Sequence, residues 1–156
     1  MAYLLVKYLH LVSAAVLLGT GAGIAFFMLL AHRTADPRVI AGVARIVVIA
    51  DYAFTASAVV VQPATGLALA TLAGHSLGEG WLAASLALYL AVGALWLPVV
   101  GMQRRMRDLA QDAAARGAPL PPAYHRLFRW WFAFGIPAFL AVLAILWLMV
   151  ARPALG

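Results

Sequence analysis

Residues 128–151 read FRWWFAFGIPAFLAVLAILWLMVA and carry one charged side chain, that of Arg129. About 20 mainly apolar residues are enough for an α-helix to cross the hydrocarbon core of a bilayer. Three further stretches are similarly long and apolar: residues 2–31, 45–73 and 81–102. With 66% hydrophobic and 10% charged residues, the chain has little left over for a soluble domain. The sequence therefore predicts an all-α integral membrane protein, a four-helix bundle that forms a single transmembrane domain over residues 1–156.

The basic residues are distributed unevenly between the two ends of this predicted bundle. The connections between spans one and two and between spans three and four hold most of them: Arg33, Arg38, Arg45, Arg104, Arg105, Arg107, Arg116, Arg126 and Arg129. The opposite end has Lys7 and Arg152. By the positive-inside rule the arginine-rich connections are cytoplasmic, which predicts that both termini are outside, N-out and C-out.

The net charge of +6 is therefore mainly a topology signal. Arginines that flank spans interact with the lipid bilayer and its anionic headgroups, so we expect no nucleic-acid partner. Residues 103–127 are predicted to form a cytoplasmic helical extension followed by a loop that contains prolines. Polar residues of high helix propensity run to Arg116, and Gly117 then ends the helix.

His10 is the histidine of this chain that the sequence places plainly within a span, and ionisable side chains at such positions are costly. With a rise of about 1.5 Å per residue, His10 lies about 12 Å from the outer end of its span. The same count places Gln62 about 15 Å and Tyr89 about 12 Å from the outer ends of their spans. These three side chains are expected to share one layer of the bundle, with Lys7 one turn nearer the surface and Trp96 deeper, where it can pack against a ligand.

A neutral imidazole is a common metal ligand, and one histidine is sufficient to hold haem iron on one side. A zinc or copper site would need two or three further ligands at the same depth, and the chain has no cysteine. We therefore predict that His10 ligates haem iron, with Lys7 near a propionate and Gln62, Tyr89 and Trp96 around the macrocycle. A purely structural hydrogen bond from His10 to a neighbouring helix is the alternative.

Other features of the spans have mainly structural interpretations. Asp51 is expected to pair with an arginine such as Arg45 or Arg104, and a role in a proton path is the alternative. A stripe of small residues predicts either close packing inside the bundle or a homodimer: Ala15, Gly19 and Gly23. Prolines are expected to break spans two, three and four: Pro63, Pro98 and Pro137.

Three short motifs resemble an uncharacterised bacterial family of four-helix integral membrane proteins. They are Lys7-Tyr-Leu-His10, Gln62-Pro-Ala-Thr-Gly66 and Trp96-Leu-Pro98. The chain is more distantly similar to HemJ-type protoporphyrinogen IX oxidases, through Lys7-Tyr-Leu-His10 and the stretch from Tyr124 to Pro137, and to copper-resistance D proteins. The resemblance implies a haem b-binding bundle in the bacterial inner membrane, with His10 at the position of the N-terminal family histidine.

The chain departs from the oxidase family at positions where that family has polar residues. Ser85 stands in place of a lysine, Trp96 lies near the place of a histidine, and Ala133-Phe-Gly135 replaces polar residues before Pro137. The resemblance therefore favours a b-type haem protein with a redox, sensing or haem-handling role. Two alternatives stay open: a HemJ-like protoporphyrinogen IX oxidase, and a cofactor-free accessory subunit or small transporter. A redox partner is not identified by the sequence.

Overall fold

The computed structural model describes residues 1–155 and is helical throughout, with no strand in that range. Helix α1 covers Ala2–Thr34, α2 Pro37–Ala50, α3 Ala56–Leu72, α4 Gly80–Arg116 and α5 Pro122–Ala151. A π-helical turn, Asp51–Thr55, joins α2 to α3 without a break, so that Pro37–Leu72 forms one span. The structure thus contains four helices long and apolar enough to cross a membrane, as the sequence predicts. The N-out and C-out orientation stays a prediction.

Local chemistry sets the ends of these helices. The Asp36 side chain accepts a hydrogen bond from the backbone N–H of Arg38 at 2.8 Å, and Pro37 occupies the first helical position, where its missing N–H costs nothing. Gly117 ends α4 with a φ of 60°, in the left-handed region that glycine tolerates. The helix that contains the second span therefore begins at Pro37 and α5 begins at Pro122, while the predicted bounds of the spans within the bilayer stay a prediction.

The helices continue through their internal prolines, so the expectation that Pro63, Pro98 and Pro137 break the spans was wrong. A proline removes one N–H from the helical ladder and crowds the preceding turn. In hydrocarbon, a broken helix would leave several backbone groups without partners, which costs more than one lost bond. The membrane environment therefore keeps these helices continuous.

The two ends of the bundle are packed very differently. We call the end formed by residues 35–36 and 117–121 the arginine end, and the end formed by the chain termini and the turn at residues 73–79 the terminal end. The buried core lies towards the arginine end: Ile24, Met28, Ala31, Ile40, Ala44, Val47, Met106, Ala110, Tyr124, Phe128 and Trp131. Towards the terminal end α1 packs on α3 and α4 packs on α5, and space remains between the two pairs.

Large apolar side chains cover the outside of the bundle. Leu90, Trp147 and Val150 are among those whose side chains face away from the protein. Such a continuous apolar surface would be unfavourable in water and matches a lipid environment. The protein is therefore a multi-pass integral membrane protein with the lipid bilayer as its solvent.

Candidate functional site

A cavity of about 260 Å³ lies at the terminal end, between the α1–α3 pair and the α4–α5 pair. We call it the terminal cavity. Four of the five predicted site residues line it: Lys7, His10, Gln62 and Tyr89. The depth count along the helices therefore placed His10, Gln62 and Tyr89 together correctly. Trp96 lies two turns further along α4 and lines a second cavity instead.

The imidazole of His10 is held at both ring nitrogens by side chains of α3. Its Nδ1 lies 2.9 Å from Oγ1 of Thr65, and its Nε2 lies 3.2 Å from Nε2 of Gln62. The Thr65 hydroxyl donates its own proton to the carbonyl of Val61 at 2.7 Å. The Thr65 oxygen must therefore accept from His10, which puts the imidazole proton on Nδ1. The lone pair of Nε2 then faces the amide N–H of Gln62.

Gly66 makes room for this ring. A Cβ atom built on Gly66 would lie 3.2 Å from Cε1 of His10, closer than most real Cβ contacts. Gln62, Thr65 and Gly66 fall at positions i, i+3 and i+4 of α3 and therefore share one helical face. The stretch Gln62-Pro-Ala-Thr-Gly66 is thus the cradle of the histidine. Thr65 and Gly66 were not predicted as site residues, although the motif Gln62-Pro-Ala-Thr-Gly66, which contains both, could have indicated them.

Both cations of the terminal end line the terminal cavity: Lys7 of α1 and Arg152, which follows α5. Arg152 was also missed from the sequence as a site residue. Its guanidinium lies 5.5 Å from the ring centre of Trp81, within cation–π range, and its φ of 42° turns the chain at the end of α5. Within residues 1–155, neither Lys7 nor Arg152 forms an ion pair with a carboxylate.

A hydrogen-bonded turn fixes Trp81 beneath Arg152. Glu79 accepts from the indole N–H of Trp81 at 2.9 Å and from the backbone N–H of Ser76 at 2.9 Å, and it contacts Nδ1 of His75 at 3.0 Å. These hydrogen bonds, that from Trp81 first, lower the pKa of Glu79 from its ordinary value of 4.5. The charged form of Glu79 is therefore the one that holds this rim together.

The second cavity, the central cavity, has a volume of about 360 Å³ and lies deeper in the bundle. It shares Gln62 and Tyr89 with the terminal cavity. Tyr89 donates its hydroxyl proton to the carbonyl of Val59, and Trp96 donates its indole N–H to Oδ1 of Asp51 at 3.2 Å. The expected ion pair of Asp51 with Arg45 or Arg104 was wrong, because within residues 1–155 no arginine comes within ion-pair distance of this carboxyl group.

The small-residue stripe of α1 faces away from the bundle. Ala15 and Gly19 are exposed, and a Cβ atom on Gly19 would meet nothing within 4 Å. Close packing of this stripe inside the bundle was therefore wrong, because the neighbouring helices contact other faces of α1. The homodimer stays a prediction.

The donor atoms of the described chain do not suit a multi-histidine metal centre. Within residues 1–155, no group of three or more His, Cys, Asp or Glu side chains is placed to hold a metal ion. Structural and catalytic zinc sites need three or four such ligands. Any metal at His10 would therefore need a coordination sphere supplied largely by another molecule.

Comparison with known protein families gives a match over nearly the whole chain. The family described as "Predicted integral membrane protein (DUF2269)" matches residues 4–153, nearly the whole chain. No curated protein and no solved structure matches. The similarity to HemJ-type oxidases and copper-resistance D proteins accordingly stays a prediction.

Proposed function

We propose that this chain, which belongs to the DUF2269 family of predicted integral membrane proteins, is a membrane b-type haem protein with a redox, sensing or haem-handling role. In this proposal His10 ligates haem b iron through Nε2 at the terminal cavity. The observation that carries it is the hydrogen bond between Nδ1 of His10 and Thr65. That bond favours the tautomer whose lone pair lies on Nε2, where Gln62 now contacts it at the terminal cavity.

The arrangement matches what metal-binding histidines require around them. A ligating histidine almost always donates its other ring N–H to an oxygen, which fixes the tautomer and raises the basicity of the ligand. Thr65 supplies such an oxygen, and it is oriented by its own hydrogen bond to Val61. Haem supplies four ring nitrogens of its own, so a single histidine is enough. Haem iron changes between ferric and ferrous states and so provides one-electron chemistry.

The walls of the cavity suit a flat apolar molecule. Small-molecule sites in proteins are mostly apolar and have volumes of about 300–1,000 Å³. The terminal cavity, at about 260 Å³, is slightly smaller, but it adjoins the central cavity at Ala14, Gln62 and Tyr89. Gln62 has to turn its amide away from Nε2 of His10 to admit the iron. Its Oε1 atom has no hydrogen-bond partner, so only one bond of this side chain is lost.

The charges at the rim suit the polar edge of haem. Haem carries two propionates, and Lys7 and Arg152 provide two cations at the mouth of the terminal cavity. The propionates would point towards these cations and water, while the opposite edge of the ring lies in the apolar interior. Each exposed ion pair contributes about 1 kcal/mol or less. Lys7 and Arg152 therefore orient the cofactor, and His10 provides most of its retention.

The experiment is a haem titration of protein purified in mild detergent, followed by the Soret band. We expect the wild-type chain to bind haem, His10→Ala to lose it, and Lys7→Ala to bind it more weakly. His125→Ala is the matched control, because His125 lies at the arginine end, outside both cavities. A colourless wild-type protein that cannot be loaded with haem would instead support a cofactor-free accessory subunit or small transporter.

A further inference from the structure

The central cavity is held open by a row of large polar side chains on α4. Tyr89, Trp96 and Gln103 are spaced seven residues apart, so they point from the same face of the helix. Two of them reach the second span, where Tyr89 bonds Val59 and Trp96 bonds Asp51. Long side chains that meet across a gap keep the helix backbones apart. The space between them is the central cavity.

Several polar atoms around this cavity have no hydrogen-bond partner. They are Oδ2 of Asp51, Oγ1 of Thr55, Oε1 of Gln62, Oε1 of Gln103 and Nε1 of Trp131, which lie on the second span, α4 and α5. Asp51 and Gln103 are each 3% exposed, and Trp131 is 5% exposed. Buried polar groups are normally paired, so this concentration of unpaired atoms requires an explanation. Asp51 also begins the π-helical turn, and such turns frequently occur at functional sites.

The carboxyl group of Asp51 is the main determinant of what the cavity can bind. Among the described residues, no lysine, arginine or histidine lines the central cavity, so no cationic side chain in its walls compensates a negative charge. A buried charge without a partner is strongly unfavourable, and an anionic ligand would make it worse. A cationic ligand would place its charge against Oδ2, the atom that Trp96 leaves free.

The rest of the wall does not suit a bare metal ion. Ions such as Na⁺ or Ca²⁺ require several oxygen ligands, whereas most residues around this cavity are apolar. The aromatic residues of the lining instead suit an organic cation, because aromatic faces attract ammonium groups and pack against apolar bodies: Tyr89, Trp96, Trp131, Phe132 and Phe139.

We propose that the central cavity is a binding site for a lipophilic organic ammonium ion, with Asp51 as its counter-ion. The positive group lies against Oδ2 of Asp51, and its aromatic or alkyl body packs on the aromatic wall. Gln103 accepts a hydrogen bond when the ammonium carries an N–H. This site goes beyond the proposed haem function. His10 lines only the terminal cavity, but the two cavities share Gln62 and Tyr89, so the cation is tested on protein without haem.

A pair of probes with the same shape separates charge recognition from simple apolar filling. Benzyltrimethylammonium and neopentylbenzene differ by the replacement of the quaternary nitrogen with carbon. Binding to the full chain, with no haem added, is measured through the fluorescence of the tryptophans that line the cavity. We expect the cation to bind about 30-fold or more tightly than the neutral compound, as for a buried charge pair. Equal binding of the two would overturn the proposal.

Two sets of variants complete the test. Asp51→Asn should weaken cation binding about 30-fold or more, while Asp51→Glu retains the charge and the binding. Asp108→Asn is the matched control, because Asp108 pairs with Arg107 on the extension of α4. Unchanged binding in Asp51→Asn would overturn the assignment.

A pair of glycine-to-leucine substitutions tests the site by filling space, without removal of a polar group. Gly93 lines the central cavity and Gly101 does not, yet both lie on α4 and a Cβ atom on either meets nothing within 4 Å. Gly93→Leu should abolish cation binding, and Gly101→Leu should leave it intact. Retained binding in a folded Gly93→Leu protein would place the ligand elsewhere and overturn the proposal.

Discussion

Replacing Thr65 by valine tests the hydrogen bond on which the proposed haem site depends. Valine has nearly the shape of threonine but cannot accept the proton that Nδ1 of His10 donates at 2.9 Å. Loss of such an outer partner typically weakens metal binding about 10- to 100-fold. At about 1.4 kcal/mol per factor of ten, this corresponds to about 1.4–2.8 kcal/mol. We therefore expect Thr65→Val to raise the haem dissociation constant by that factor, measured by titration of the Soret band.

Thr71 provides a closely matched control for this experiment. Like Thr65, it lies on α3 and donates its hydroxyl proton to the carbonyl four residues earlier at 2.7 Å, but it forms no hydrogen bond with His10. Thr71→Val should therefore bind haem as the wild type does, and Thr65→Ser, which keeps the hydroxyl, should bind nearly as well. If Thr65→Val retains wild-type haem affinity, or if Thr71→Val loses as much affinity as Thr65→Val, the hydrogen bond from His10 to Thr65 does not support haem binding.

Three further predictions follow from individual contacts. Gly66→Ala should weaken haem binding in the same titration, because the alanine Cβ would lie 3.2 Å from the His10 ring and displace the ring. Unchanged haem affinity would contradict the claim that Gly66 makes room for His10. The lowered pKa of Glu79 means that its hydrogen bond from Trp81 stabilises the fold above pH 4.5 and is lost as the pH falls through the lowered value. Glu79→Gln should flatten this acid dependence in thermal unfolding measured from about pH 7 to about pH 3, and an unchanged profile would exclude Glu79 as its source. Gly19→Leu should reduce self-association in analytical ultracentrifugation without loss of haem, and a protein that is monomeric before the change would refute the homodimer.

The helices and one layer of the site could be predicted from the sequence because both depend on simple physics. A long apolar run in a bilayer has to be helical, and equal depths along antiparallel helices bring side chains together. This reasoning placed His10, Gln62 and Tyr89 on one cavity. It could not distinguish a proline that breaks a helix from one that the membrane forces to remain within it, as at Pro63.

The rest of the site depends on rotation about the helices, which composition does not reveal. Asp51 begins the π-helical turn of the second span, and its carboxyl group accepts a hydrogen bond from Trp96 of α4 instead of pairing with an arginine. Arg152 lies far from His10 in the sequence, and only the closed bundle brings both to the terminal cavity. Thr65 was overlooked because a threonine within an apolar helix normally bonds its own backbone, as Thr65 also does.

Chemical rescue of His10→Gly by imidazole tests the central claim most directly. The substitution removes the proposed iron ligand and leaves space next to Gly66 that free imidazole can enter. We predict that His10→Gly lacks the Soret band of the loaded wild type and that added imidazole restores it, with the haem b bands appearing on reduction. A His10→Gly protein that retains the full, unshifted wild-type spectrum without imidazole would contradict ligation by His10.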